Sequence, residues 1–284
     1  MDPISKLIAA WKIPVGKWGK ALIDFIVNWF QWFFDALKVS LNFVVEGLTS
    51  ILLTIPPVLL ALAIAGLAYW LQKSKALAIA VLLGLLFIIN QGLWKETIQT
   101  LVLVVAATAI SMSVGVPLGI WSAHKPNVWR FMQPLLDLMQ TMPTFVYLIP
   151  ILILFGLGAA PALIVTIIFA MPAPVRMTYL GITSIPKPMI EAGESFGATK
   201  RQLLWKVELP AALPSIMAGL TQCIMLSLSM VVFATLIGAP SLGNPVNKAL
   251  ANRNIPLGIE AGLALVILAI MLDRMLAQKA GDKK

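Results

Sequence analysis

"EAGESFGATKRQLLWKVELP" occupies residues 191–210 and differs sharply from what surrounds it. Six of its side chains are charged (Glu191, Glu194, Lys200, Arg201, Lys206 and Glu208), whereas long apolar stretches lie on either side. Its punctuation is that of two short helices. Pro186 and Pro188 suit a first helical turn, where a missing N–H costs nothing, and a helix is predicted over 189–196. Gly197 suits a C-terminal cap that needs positive φ. Thr199, with Gln202 three residues on, reads as a capping box. It opens a second helix carrying Lys200, Arg201 and Lys206 beside Leu203, Leu204 and Trp205. Pro210 and Pro214 are expected to stop that helix before the next apolar run. Ala192, Gly193 and Gly197 leave one surface nearly bare beside Glu191 and Glu194, a shape suited to filling a groove on a partner.

The rest of the chain says where this module sits. The sequence has 284 residues, 60% hydrophobic and 12% charged, about half the charged share of a soluble domain. Seven segments read as spans: 57–71, 76–93, 98–121, 131–155, 161–182, 214–236 and 258–275. They lack the alternation of a transmembrane barrel, so the fold class is all-α and polytopic. Basic residues fall in every second connection: Lys73 and Lys75; Lys125 and Arg130; Lys187, Lys200, Arg201 and Lys206; then Arg274, Lys279, Lys283 and Lys284. Basic loops face the cytoplasm. The 183–212 loop and the C-terminus are therefore expected inside, and seven spans put the N-terminus outside.

The excess of 21 Lys and Arg over 12 Asp and Glu is thus a topology signal, and nucleic acid is not an expected partner. The first twenty residues lack the continuous apolar core and cleavage site of a signal peptide. In 23–55, Asp24, Asn28, Gln31, Asp35, Lys38, Asn42 and Glu46 form a stripe of helical period. Such a helix is expected to lie in the lipid interface at the outer surface, with Trp11, Trp18, Trp29 and Trp32 at headgroup depth. The alternative is a bundle helix with a polar seam. The expected organisation is a scaffold over 1–55, accessory spans over 56–93, a core over 94–276 and a cytoplasmic tail over 277–284. Pro143 and Pro150 fall within one expected span, and Pro172 and Pro174 in the next. In membranes such breaks are helix kinks, or mark a hinge or a lined cavity.

Chemistry of the enzymatic kind finds no purchase. Cys223 is the lone cysteine, so neither a disulfide nor a cysteine metal cluster is expected. His124, the sole histidine, reads as a solvated loop side chain. No stretch matches GxxxxGK[ST], so no phosphate cradle of that kind is expected. Asp137 and Arg176, near the ends of neighbouring apolar runs, are expected to pair or cap the bundle.

One resemblance ties these readings together. Glu191, Ala192 and Gly193, then three residues, Gly197, nine residues, and Val207-x-Leu209-Pro210 resemble the EAA signature of ATP-binding-cassette importer permeases. Gly193 stands where the family has alanine, and Val207 where it has isoleucine. "LDLMQTMPTFVYLIP" (136–150), "IFAMPAPVRMTYLGI" (168–182), "LSMVVFATLIGAPSLG" (228–243) and "EAGLALVILAIMLDR" (260–274) are similar to permeases of glycine betaine/proline and choline importers. The resemblance implies a type I importer fold in the bacterial inner membrane. It also implies a second permease copy, two ATP-binding cassette subunits that hold ATP and Mg2+, and an external substrate-binding protein. The chain itself would hold no cofactor and no metal, and would have no catalytic residue. Glu191, Ala192, Gly193, Gly197, Val207, Leu209 and Pro210 would couple to the ATPase. Gln140, Thr141 and Met142, with Ser227, Ser229 and Met230, would line the passage. An ion-gradient transporter of small zwitterions is the alternative; it calls for ionisable residues at mid-membrane and inverted repeats, and gives no role to 191–210.

Overall fold

The computed structural model describes residues 14–276. The expectations for 1–13, including Lys6, Lys12 and Trp11, and for the tail 277–284 lie outside the described residues. Among these, every regular element is helical. The main helices are α1 (Val15–Thr54), α2 (Pro57–Gln72), α3 (Lys75–Asn90), α4 (Trp94–His124), α5 (Pro126–Thr141) and α6 (Thr144–Phe155). They continue with α7 (Ala159–Ala170), α8 (Pro172–Thr183), α9 (Lys187–Ser195), α10 (Lys200–Leu203), α11 (Leu209–Ala234), α12 (Gly243–Asn252) and α13 (Ile255–Leu276). Five helices are long and apolar enough to cross a membrane, or six if α5 and α6 form one broken span.

Missing side chains hold the centre together. Gly115 and Gly119 of α4 face α8 so closely that a methyl on Gly119 would lie 2.6 Å from Thr178 Cβ and 2.7 Å from the Val175 carbonyl. A methyl on Gly181 would lie 2.8 Å from Ser215 Cβ, and one on Gly219 would lie 2.9 Å from Met177 Cβ. Small residues that let backbones approach are how helices associate in lipid, where burial of apolar surface supplies little drive. α4, α8 and α11 are bound this way, with α7 packed against α4 and α11. The α2–α3 hairpin and α12 pack beside α13.

Two expectations are corrected. The segment 131–155 is not one straight span: α5 and α6 meet at 98°. Pro143 disfavours the helical region at the residue before it, and Met142 is extended, with ψ 133°. Second, Pro210 and Pro214 do not stop the helix that begins at Lys200. A π-helical turn, Leu204–Glu208, runs straight into α11. There the Leu209 N–H donates to the Leu204 carbonyl, one residue beyond the α-helical register. The extra residue loosens the ladder just ahead of Pro210, where a missing donor would otherwise break it. The segments expected as spans at 57–71 and 76–93 form α2 and α3, helices of 16 residues each, about 24 Å long.

α1 is a single helix of 40 residues, about 60 Å long. From Phe34 onward it stays against one end of the bundle. Phe34 makes an edge contact with Phe155, the Asn42 Oδ1 accepts from the Ala160 N–H at 2.9 Å, and Val45, Glu46, Thr49 and Leu53 line a cavity of about 420 Å³ with Gln99, Gly158 and Gly238. These contacts succeed one another over some twenty residues of α1 yet meet the same ends of α6, α7 and α4. The helix crosses those ends rather than running beside any one of them. Part of its polar stripe, Lys38 and Asn42, turns toward the bundle; Trp29, Trp32 and Phe43 face away. At the opposite end, Gln72 Nε2 donates to the Met275 carbonyl at 2.9 Å, so the basic α2–α3 turn and the end of α13 share one side.

Candidate functional site

The hairpin of α9 and α10 takes the predicted form. α9 ends at Gly197, whose φ is +76°. The Ala198 N–H reaches back to the Gly193 carbonyl at 3.1 Å, and the Gly197 N–H to Glu194 at 2.8 Å, a glycine-closed terminus of the Schellman kind. Thr199 then caps α10. Its Oγ1 accepts from the Gln202 N–H at 3.3 Å, and the Gln202 Oε1 accepts from the Thr199 N–H at 2.8 Å.

The seven residues expected to couple divide into three groups. Glu191, Ala192 and Gly197 are exposed on the outside of the hairpin. Gly193 and Val207 face its inside: a methyl on Gly193 would lie 2.8 Å from Leu203 Cδ1 and 3.7 Å from Val207. The space left by glycine at this position is filled by Leu203, which is buried. Leu209 packs at the hairpin's root against Ile182, Ala212 and Ile216, and Pro210 begins α11 on the exposed side.

Sequence reasoning missed two features here. His124 is not a solvated loop side chain. Its Nδ1 lies 2.8 Å from the Ile120 carbonyl, which can only accept, and its Nε2 lies 2.9 Å from Glu208 Oε2. Glu208 is 5% exposed, and Oε2 has no aligned hydrogen bond, so the contact is one of charge, an ion pair when the imidazole is protonated. A buried carboxylate needs such a partner; the two residues are far apart in sequence, and no local pattern pairs them. The second is Phe196, 93% exposed at the tip of the hairpin, with Trp205 63% exposed nearby. An aromatic at a helix end between Glu194 and Gly197, in so polar a segment, was the signal available.

The six residues expected along the passage do not share a surface. Ser227 and Met230 are enclosed within the bundle; Ser227 sits beside Cys223, with Thr108 and Ser111 of α4. Met142 packs with Tyr147 and Phe155. Gln140, Thr141 and Ser229 are exposed. Two residues along a helix turn the side chain by about 200°, so Ser227 and Ser229 point opposite ways. Gln222, Ser229 and Phe233 form one exposed stripe on α11, continued by Leu236 in the turn that follows, and Phe233 meets Phe145 of α6 edge-on. On α5, Asp137, Gln140 and Thr141 share one exposed face. Arg176 of α8 donates from Nη2 to Asp137 Oδ1 at 2.6 Å, and Trp129 stacks on Tyr179 at 3.6 Å between the same two helices.

A helical bundle tied by glycine contacts, with a broken span and a two-helix module at one end, is the architecture of a transport permease. Residues 115–277 match the family of binding-protein-dependent transport system inner membrane components; the chain belongs to that family. Among relatives, it is 45% identical over 264 residues to the glycine betaine transport system permease protein OpuAB of Bacillus subtilis, covering 93% of each chain. It is 41% identical to the glycine betaine/proline betaine transport system permease protein ProW of Escherichia coli, over the whole of this chain and 79% of ProW. The fold is similar to that of the MetNI methionine ABC transporter in inward-facing form, with a TM-score of 0.56 at 21% identity, covering 63% of this chain and 93% of that one. The chain is thus a transport subunit of the inner membrane with a type I importer fold.

Proposed function

We propose that this subunit carries quaternary ammonium osmolytes inward by alternating access, driven by ATP hydrolysis on a separate subunit. Glycine betaine and proline betaine, named for the relatives at over 40% identity, are the expected substrates. Choline and proline are the outer limits of the class. The observation that carries the reading is the hairpin. It is rigidly closed at both turns, exposed along Glu191, Ala192 and Gly197, and continuous through the π turn with the long helix α11. A displacement of its tip is therefore a displacement of α11, and α11 is bound by glycine contacts to α8. Two ATPase subunits holding ATP and Mg2+ would each grip one hairpin, in an assembly of two permease copies with a binding protein on the outer side. Rigid-body rocking of the two bundles would then expose the passage to alternate sides.

The same reading orients the chain. Lys73, Lys125, Lys187 and Arg274 gather on the hairpin's side, the cytoplasmic one by the charge rule. α1 then lies over the outer ends of α4, α6 and α7 as an interfacial scaffold, and the N-terminus is external. Trimethylammonium groups are ordinarily selected by aromatic cages; with no cage evident in the spans, selection would fall to the binding protein.

The test is uptake of radiolabelled glycine betaine into proteoliposomes holding the permease, its ATPase and the binding protein. Uptake is expected to require ATP and to vanish without the ATPase. Uptake that persists on an ion gradient alone would favour a secondary transporter.

A further inference from the structure

The Asp137–Arg176 pair is unusual for where it stands. Asp137 is eleven residues into α5, about 17 Å of helix from its start at Pro126, and Arg176 is seven residues from the end of α8. Arg176 thus lies about 10 Å of helix inside the end of the 159–183 span, and the 2.6 Å contact holds Asp137 at the same depth. Yet their side chains are 50% and 35% exposed. Charged groups at such depth do not face lipid; they face a water-filled cavity or a protein partner. The exposed face of α5 that holds Asp137, Gln140 and Thr141, beside the 98° break, is a surface of that kind.

The pair is also incompletely used. Its one hydrogen bond engages Nη2 and Oδ1, whereas the fork of a guanidinium can engage both oxygens of a carboxylate. Arg176 Nε is buried and has no hydrogen-bond partner. The stacked rings of Trp129 and Tyr179 hold α5 and α8 in register, so the two charges are kept side by side rather than free to swing apart. An anchored positive and negative group in contact present a dipole, and a zwitterion laid beside it in the opposite sense satisfies both ends.

We propose that Asp137 and Arg176 form a transit site for a zwitterionic substrate, Arg176 taking its carboxylate and Asp137 facing its quaternary ammonium. The site rests on the osmolyte reading above and adds to it a place of contact within the permease. Exchange of one ion pair for two substrate contacts leaves the net charge of the passage unchanged as the substrate enters and leaves, which suits a weak, quickly emptied site.

The test uses the complete complex in nanodiscs without the binding protein. Saturation-transfer NMR follows the trimethyl protons of glycine betaine at millimolar concentration. The wild type is expected to show transfer, and R176Q, D137N and the double variant D137N/R176Q are expected to lose it. With the binding protein restored, the same variants should transport at least about tenfold less substrate per ATP, the scale of a lost hydrogen bond to a charged group. R176K, which keeps the charge, should retain part of the activity. The double variant can rebuild an amide–amide bridge, so full recovery of transport there would show a purely structural tie and overturn the site. Unchanged saturation transfer in the single variants, or none in a wild-type complex that does take up glycine betaine, would overturn it equally. A wild-type complex that takes up no glycine betaine with ATP and binding protein present would instead defeat the osmolyte reading itself.

Discussion

The hairpin of α9 and α10 and the break between α5 and α6 are both places where a proline or glycine interrupts a helix, yet they work by different physics. At the hairpin every device is local. Gly197 supplies a backbone angle, Thr199 and Gln202 supply each other's hydrogen bonds, and the fold of the segment follows from its own residues. At the α5–α6 break, Pro143 supplies only the interruption. Which side chains then face outward is settled by the helices packed around it, chiefly α4, α7 and α1, which cover some residues and leave others bare. The first region is a rigid lever whose shape is written in twenty residues. The second is a surface whose identity depends on the rest of the bundle.

The comparison breaks most violently where the bundle itself is at stake. Gly119→Val would drive a side chain into Thr178 Cβ and the Val175 carbonyl, at 2.6 and 2.7 Å from the first added carbon. Backbone cannot yield as a flexible side chain does. The expected cost is at or beyond the top of the overpacking range, about 3 kcal/mol, seen as aggregation on size exclusion or a large fall in melting temperature. Gly262→Ala is the control, since nothing lies within 4 Å of the added methyl, and its profile should match the wild type.

Gly197→Val sharpens the contrast, because here too there is nothing within 4 Å, but φ is +76°. The cost is purely one of backbone conformation, about 1–2 kcal/mol, and falls on the hairpin alone. Insertion and the melting of the bundle should be unaltered, while substrate transported per ATP falls by a factor of about 5–30. Gly197→Asn, which tolerates left-handed backbone, should retain most of the transport. If valine transports as well as glycine, the lever does not need its bend.

These two glycines also show what was legible in advance. Gly197 could be read because its role is fixed by neighbours within six residues, as were the capping box and the helical character of α1. The alternation of basic turns likewise put the α2–α3 turn and the end of α13 on one side, where Gln72 meets Met275. Gly119 could not be read, since its partner Thr178 lies on another helix and "GVPLG" looks like any stretch of α4. The same limit separates Ser229 from Ser227: the residues are alike and two apart, and only α4 decides that Ser227 is interior. Pro210 misled in the other direction. Its ordinary meaning is a stop, and the π turn that cancels it has no simple local signature.

Phe196 tests the lever's outer end. At 93% exposed it contributes nothing to the fold, so Phe196→Ala should leave the melting temperature of the isolated permease unchanged. Under the proposed function this exposed aromatic at the tip would anchor in a cleft of the ATPase, and its loss should weaken assembly by about 2 kcal/mol, the range of an aromatic hot spot. Binding of the purified ATPase, measured by microscale thermophoresis, would read that directly. Equal affinity for both permeases would place the grip elsewhere on the hairpin.

The smallest expected effect lies at the lever's root. His124 closes the end of α4 onto Glu208, and Glu208 sits in the π turn between α10 and α11. Movement of the hairpin must either carry α4 with it or part this contact. His124→Gln keeps a neutral donor near the carboxylate, and His124→Ala removes it and leaves a buried charge alone. The half-exposed histidine lets water screen the loss, so about 1 kcal/mol is expected for alanine and less for glutamine. Transport per ATP should therefore fall about fivefold in the alanine variant, with basal ATP hydrolysis unchanged and glutamine between alanine and wild type. That ranking matters more than the size. A structural filler would follow side-chain volume, and glutamine would then match the wild type. A charge contact that transmits motion requires the imidazolium, and glutamine must fall short of it.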